Sequence, residues 1–174
     1  MQNRIYLIGM PGCGKSSTGK KLAKELSWNW IDLDVLIEKN TGISIAQFFE
    51  TWGEPAFREV EQKTLYNCLP NEPTVIACGG GTPAFGNNME FINKHGLSVY
   101  LRANERFLWD RLSAKKQTRP LFAGLSEEEC RIKITNLLQQ RKSFYELAKV
   151  QIDLPYNSIK ELKNSILNHL NASF

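Results

Sequence analysis

The sequence predicts an α/β fold in which a parallel β-sheet is covered by helices on both faces. Three observations carry that prediction. Short apolar or β-branched runs alternate with helical patterns along the whole chain, the arrangement that builds βαβ units. Two of the runs, Arg4–Gly9 and Thr74–Cys78, are nearly continuous in apolar residues, as strands buried on both faces must be. No repeat, low-complexity tract or Pro/Gly/Ser-rich linker divides the 174 residues, so one domain over 1–174 is expected.

The strand runs are Arg4–Gly9, Asn29–Leu33, Thr74–Cys78, Ser98–Arg102 and Val150–Leu154. The first helical pattern, Lys15–Leu26, gathers Leu22, Ala23 and Leu26 on one face. A second begins at Ser44, whose S-x-x-Q spacing to Gln47 is a capping-box signal. A third starts near Pro55, a residue suited to a first helical position, and runs through Val60 and Leu65. Further helices are predicted over Glu105–Leu112, Glu127–Ala148 and Ser158–Leu170. Right-handed crossovers then make the sheet parallel, and ligands on such a sheet sit beyond the carboxyl ends of its strands. Chemistry is to be sought just after each run.

Composition narrows the function classes. Apolar residues are 42% and charged residues 23% of the chain, an ordinary globular balance. The 22 basic and 18 acidic side chains leave +4, too small and scattered for a nucleic-acid binder yet no obstacle to an anionic substrate. No apolar run approaches a membrane span, and the opening MQNRIYLIGMPG lacks the pattern of a signal peptide. Cys13, Cys68, Cys78 and Cys130 form no C-x-x-C pair and there are two histidines, which argues against zinc and for a reducing cytoplasm.

After the first run, Gly9-Met-Pro-Gly-Cys-Gly-Lys-Ser16 fits G-x-x-x-x-G-K-[ST] at every position. The glycines let successive N–H groups curl into an anion nest, and the following helix points its N-terminus at the same place. Lys15 supplies a point charge for the β- and γ-phosphates, and the Ser16 hydroxyl suits Mg²⁺. A nucleotide loop alone leaves GTPases, ATPases, kinases and sensors open. Asn93-Lys94-His95-Gly96 begins like the guanine-selecting N-K-x-D, but Gly96 stands where Asp is needed. With no room for motor domains, a small-molecule kinase gains weight.

Asp32 and Asp34 leave the second run as D-x-D; on an extended segment both point to one side, toward the phosphate loop. One would serve Mg²⁺ through water and the other an acceptor hydroxyl. The alternative is an acidic helix start before Val35, Leu36 and Ile37. Gly79-Gly80-Gly81 follows the third run; three glycines suit close approach of a ligand to the backbone, or a floppy loop. Arg58 and Arg141 have the planar fork that matches a carboxylate, although either could be a solvated helix charge. The stretch 113–124, basic at Lys115, Lys116 and Arg119 and broken by Pro120, reads as a lid over the phosphates or a long surface loop.

Together these motifs resemble the shikimate kinases. The phosphate loop, D-x-D, G-E-x-x-F-R at Gly53–Arg58, the glycine triplet, and R-P-L at Arg119–Leu121 occur in that family's order and spacing over nearly the whole chain. The resemblance implies a three-layer P-loop kinase fold with a five-stranded parallel sheet of order 2-3-1-4-5 and a mobile lid over about 113–125. It implies ATP-dependent phosphorylation of the shikimate 3-hydroxyl, on the route to chorismate and the aromatic amino acids, with Mg²⁺ as cofactor. A cytoplasmic monomer with no nucleic-acid or membrane partner is expected.

Site residues follow by position. Gly12, Cys13, Gly14, Lys15, Ser16, Ser17, Arg111, Arg119 and Pro155 would take ATP. Within the segment 32–61 and beyond it, Asp34, Phe49, Phe57, Arg58, Gly79, Gly80, Gly81 and Arg141 would take the acid. Ser16 and Asp32 would serve the metal, and Lys15, Asp34 and Arg119 catalysis. Two departures stand out: Ala77 and Cys78 occupy positions where many relatives carry Ser or Thr, and the lid is one residue longer between Arg111 and Arg119 than in some relatives. Kinases of other hydroxylated metabolites such as gluconate, and a non-catalytic ATP-binding module, are the alternatives.

Overall fold

The computed structural model describes residues 3–113, 122 and 124–172. Five strands, β1 (Arg4–Ile8), β2 (Asn29–Asp32), β3 (Thr74–Ala77), β4 (Leu97–Arg102) and β5 (Val150–Asp153), form one sheet of order β2-β3-β1-β4-β5. Every pairing is parallel, with Ile5 opposite Val75 on one side and Leu97 on the other. The apolar run in β1 takes the centre, and Ile5, Tyr6, Leu7 and Ile8 are wholly buried, as a strand covered on both faces requires.

Helix α1 (Lys15–Leu26) packs Leu22 and Ala23 inward and ends at Ser27 in the left-handed conformation. Gly19 lets it lie close against β2, where a Cβ would fall 2.9 Å from Trp30 Nε1. Helix α2 (Leu33–Thr41) buries Leu33 and Ile37, one helical turn apart. Helix α3 (Ile45–Asn67) opens on the Ser44–Gln47 capping box and breaks at Gly53, with φ 77° and ψ 175°. That backbone region is open essentially to glycine alone, and Pro55 restarts the helix. The two helices expected from Ser44 and Pro55 are therefore halves of one kinked element. Helices α4 (Asn88–His95), α5 (Glu105–Ser113), α6 (Glu127–Tyr145) and α7 (Ile159–Ala172) complete the chain.

Three expectations need correction. The D-x-D pair is not two positions of one strand: Asp32 ends β2 and caps α2, accepting the Asp34 N–H at 3.1 Å, and Asp34 lies in the first helical turn. A capping carboxylate satisfies an otherwise orphan N–H, which outweighs extension of the strand. Helix α4 was not anticipated, because its two asparagines and short length hide the Met89–Ile92 periodicity. Helix α6 stops at Tyr145 rather than Ala148, since Leu147 and Ala148 donate to Phe144 and Tyr145 in tight turns that release the chain into β5. Among the described residues, no helix is long and apolar enough to cross a membrane.

Candidate active site

The loop after β1 curls around its own lysine. Gly9, Gly12 and Gly14 all have positive φ, at 140°, 88° and 95°. Side chains there would also collide: a Cβ on Gly12 falls 2.8 Å from Leu112 Cγ, and one on Gly9 falls 2.8 Å from the Leu101 carbonyl. Lys15 is nearly buried and its Nζ donates to the Gly9 and Met10 carbonyls at 2.8 and 3.0 Å. Ser16 and Ser17 stand exposed on the first turn of α1, where the helix dipole favours an anion. The Cys13 side chain is turned inward, so that only its backbone can meet a ligand.

Arg111 joins this side from α5. Its guanidinium lies over Phe107 at 4.5 Å and so near the loop that a Cβ on Gly14 would fall 2.9 Å from Nη1. Pro155 is exposed and does not line the cavity. Its neighbour Tyr156 places a hydroxyl 3.1 Å from Thr18 Oγ1, which brings this segment against α1. Arg119 lies outside the described residues, as do Lys115, Lys116, Pro120 and Leu121.

Across the cavity a buried ionic network holds the acceptor side. Glu61, on the inner face of α3, has no exposure. Its Oε1 accepts from Thr82 Oγ1 at 2.6 Å and its Oε2 from Arg58 Nη1 at 2.7 Å. Glu54 Oε1 accepts from Arg58 Nη2 at 2.6 Å and from Nε at 3.2 Å. The glycine triplet is read here as missing volume. A Cβ on Gly79 would sit 2.2 Å from Glu61 Oε1, one on Gly81 2.4 Å from Arg58 Cζ, and one on Gly80 2.6 Å from Pro11 Cδ. Side chains at these three positions would fill the pocket or break the network.

Phe49 and Phe57 wall the pocket with ring centroids 4.8 Å apart, and Phe48 meets Phe57 edge-on. Arg141, from α6, does not line this cavity but lies behind it. It is buried near Tyr145, whose hydroxyl donates to the Gly80 carbonyl at 2.5 Å. Arg141 Nη1 is buried without a hydrogen-bond partner among the described residues. A buried guanidinium N–H left over in this way is expensive unless an anion completes it.

The cavity is a half-open cleft of about 850 Å³. It is lined by Gly12, Gly14, Lys15, Ser16 and Ser17 of the phosphate loop and α1, by Arg111 of α5, and by Asp32, Asp34, Phe49, Phe57, Arg58 and the glycine triplet. Burial, then the Glu61 and Asp32 carboxylates, push Asp34 up from 3.8 to about 6, against the pull of Lys15 and Arg58. Burial above all raises the Cys78 thiol well above its ordinary value, so it offers no thiolate beside the glycine triplet. No group of three or more His, Cys, Asp or Glu converges as a metal site among the described residues. Ser16 and Asp32 are instead a sparse oxygen set, fitting a cation that completes its shell with phosphate oxygens and water, as Mg²⁺ does.

Sequence alone assigned no role to Glu61, Thr82 or Tyr145, and Glu54 entered only as the second position of G-E-x-x-F-R. The two glutamates were visible in principle as i−4 and i+3 partners of Arg58. Thr82 and Tyr145 reach their partners only through the fold.

The family model described as shikimate kinase matches residues 11–171. The chain belongs to the shikimate kinase family. It is 38% identical over 171 residues to the shikimate kinase of Parabacteroides distasonis, covering 96% of this chain and 99% of that one. Against the shikimate kinase of Phocaeicola vulgatus it is 44% identical over 146 residues, covering 84% and 83%. Among solved structures, the shikimate kinase of Bacteroides thetaiotaomicron superposes with a TM-score of 0.88 at 34% identity, covering 97% of this chain and 98% of that one. The Acinetobacter baumannii shikimate kinase in complex with shikimate gives 0.86 at 31%, covering 98% and 93%. A gluconokinase from Sinorhizobium meliloti shares the fold alone, at 0.55 and 18% identity over 98% and 93%.

Proposed function

We propose that this shikimate kinase family member transfers the γ-phosphoryl group of ATP to the 3-hydroxyl of shikimate, on the route to the aromatic amino acids. The observation that carries this reading is one cavity with a phosphate loop on one side and a buried arginine–glutamate network against three glycines on the other. One side fits a polyphosphate and the other a hydroxylated acid. A bound shikimate in the Acinetobacter baumannii relative supports the choice of acid.

Gly12, Gly14, Ser17 and the Cys13 backbone cradle the phosphates; Arg111 and the segment at Pro155 flank the nucleotide. Lys15 leaves the loop carbonyls for the phosphates, and Arg119 is the lid cation. Arg58 and Arg141 take the substrate carboxylate, the latter with the N–H that has no partner among the described residues. Gly79, Gly80 and Gly81 let the ring lie close to the backbone, against the wall made by Phe49 and Phe57. Asp34 accepts the hydroxyl proton and aims the oxygen at phosphorus. Ser16 and Asp32 hold Mg²⁺, which neutralises phosphate charge when bound. Positioning and charge complementarity dominate, because a loose phosphoryl transition state needs little covalent help.

The 32–61 segment and a lid over about 113–125 act within a single domain. Within this reading the enzyme acts as a monomer, and four free thiols suit the cytoplasm. A coupled ADP-release assay with MgATP against shikimate, quinate, gluconate and nucleoside monophosphates tests the reading. Turnover with shikimate alone is expected; its absence overturns the assignment. Arg58→Lys should weaken shikimate far more than ATP, and equal losses would make Arg58 structural.

A further inference from the structure

One peptide in the wall of the cavity is held by three neighbours. The unit joining Gly80 to Gly81 is trans, so its carbonyl and its N–H point opposite ways. The Gly80 carbonyl accepts from the Tyr145 hydroxyl at 2.5 Å. The Gly81 N–H has no hydrogen-bond partner among the described residues, although Gly81 lines the cavity. Both flanks are crowded. A Cβ on Gly80 would fall 2.6 Å from Pro11 Cδ in the phosphate loop, and one on Gly81 2.4 Å from Arg58 Cζ.

Tyr145 is placed to act as a fixed donor. It is wholly buried at the end of α6, one turn after the buried Arg141. Its ring stacks on Tyr100, with centroids 5.0 Å apart and planes 28° from parallel. Burial above all raises the phenol above its ordinary value, against the pull of Arg141, so the hydroxyl keeps its proton at neutral pH. Its other contact, Met10 Sδ at 3.7 Å, is a weak acceptor. The Gly80 carbonyl is therefore the partner that counts, and Tyr145 itself does not line the cavity.

We infer that Tyr145 is a positioning residue for the acid substrate: by holding the Gly80 carbonyl it presents the Gly81 N–H to the bound acid as a free donor. This rests on the glycine triplet receiving shikimate, as proposed above. A glycine–glycine peptide left unheld rotates at small cost, because glycine tolerates most backbone orientations. Rotation would withdraw the donor while leaving Arg58 and Asp34 in place.

Tyr145→Phe keeps the ring and removes only the hydroxyl. Calorimetric titration should show shikimate binding about tenfold weaker, the worth of one hydrogen bond, with ADP binding unchanged. In ¹⁵N-labelled protein the Gly81 amide signal should broaden or split in the variant, while those of Gly12 and Gly14 in the phosphate loop hold. Equal weakening of both ligands overturns the proposal. So does a loss of stability with shikimate affinity and the Gly81 signal unmoved, which would make Tyr145 purely structural. In the parent protein, added shikimate should shift the Gly81 amide; an unmoved signal at saturation overturns the proposal whether or not the variant folds. If the parent neither binds nor phosphorylates shikimate, the functional reading falls, and the Gly81 signal of the variant still decides whether Tyr145 fixes this peptide.

Discussion

At neutral pH Asp34 carries a charge that folding opposes and that its proposed role as proton acceptor would require. Raising its carboxyl from 3.8 to about 6 corresponds to about 3 kcal/mol set against the charged state. The sign follows from proton counting. Between the unfolded value of about 3.9 and the folded value of about 6, the native state binds the extra proton, so stability falls as pH rises through this window. At pH 7 the full cost is present, and near pH 4 it is gone. Asp34→Asn removes the charge and should stabilise the protein at pH 7 by about 1–3 kcal/mol, an advantage that disappears on acidification to pH 4. The same substitution should abolish phosphoryl transfer to shikimate. In the parent protein kcat/KM should fall about tenfold per pH unit below pH 6, as Asp34 takes up the proton it must leave behind to accept the hydroxyl. Urea denaturation of both proteins at pH 7 and pH 4, beside the pH–rate profile, reads all of this. A variant no more stable than its parent at pH 7, or an acid limb near pH 4, would refute the reasoning.

Two further substitutions probe the network behind Asp34. Thr82→Val leaves the buried Glu61 Oε1 without its 2.6 Å donor; denaturant unfolding should show a loss of about 1–3 kcal/mol, with Thr82→Ser close to the parent. Gly79→Ala would press a methyl group to 2.2 Å from Glu61 Oε1 and 3.1 Å from Asp34 Oδ1. Steady-state kinetics should then show shikimate turnover reduced about 100-fold by misplacement of the acceptor side, while equilibrium binding of ATP stays near the parent value.

The strands and the phosphate loop were legible because local chemistry alone determines them. Val75 and Ile76 are apolar in sequence and wholly buried in the sheet, and a G-x-x-x-x-G-K-S loop needs its glycines wherever it occurs. Sheet order was not readable from periodicity and came only with the family resemblance. Asp34 was identified with the wrong backbone, since extended and helical placements of D-x-D differ by one capping bond that sequence spacing does not distinguish. The Glu61–Thr82 pair, 21 residues apart, and Tyr145 on the Gly80 carbonyl, 65 residues apart, depend on strands and helices having already been assembled. Arg141 is the reverse case. Its sequence context was an ordinary helix face, and what sets it apart is burial with an N–H that has no partner among the described residues.

Four buried free thiols make the protein its own reporter. Cys13, Cys68, Cys78 and Cys130 are free and exposed by only 1%, 6%, 3% and 2%. An alkylating reagent therefore reaches each only when its own neighbourhood opens. The four sit in the phosphate loop, after α3, beside the glycine triplet and near the start of α6. Labelling rates resolved cysteine by cysteine would chart how nucleotide and acid each quieten the molecule, with no residue changed.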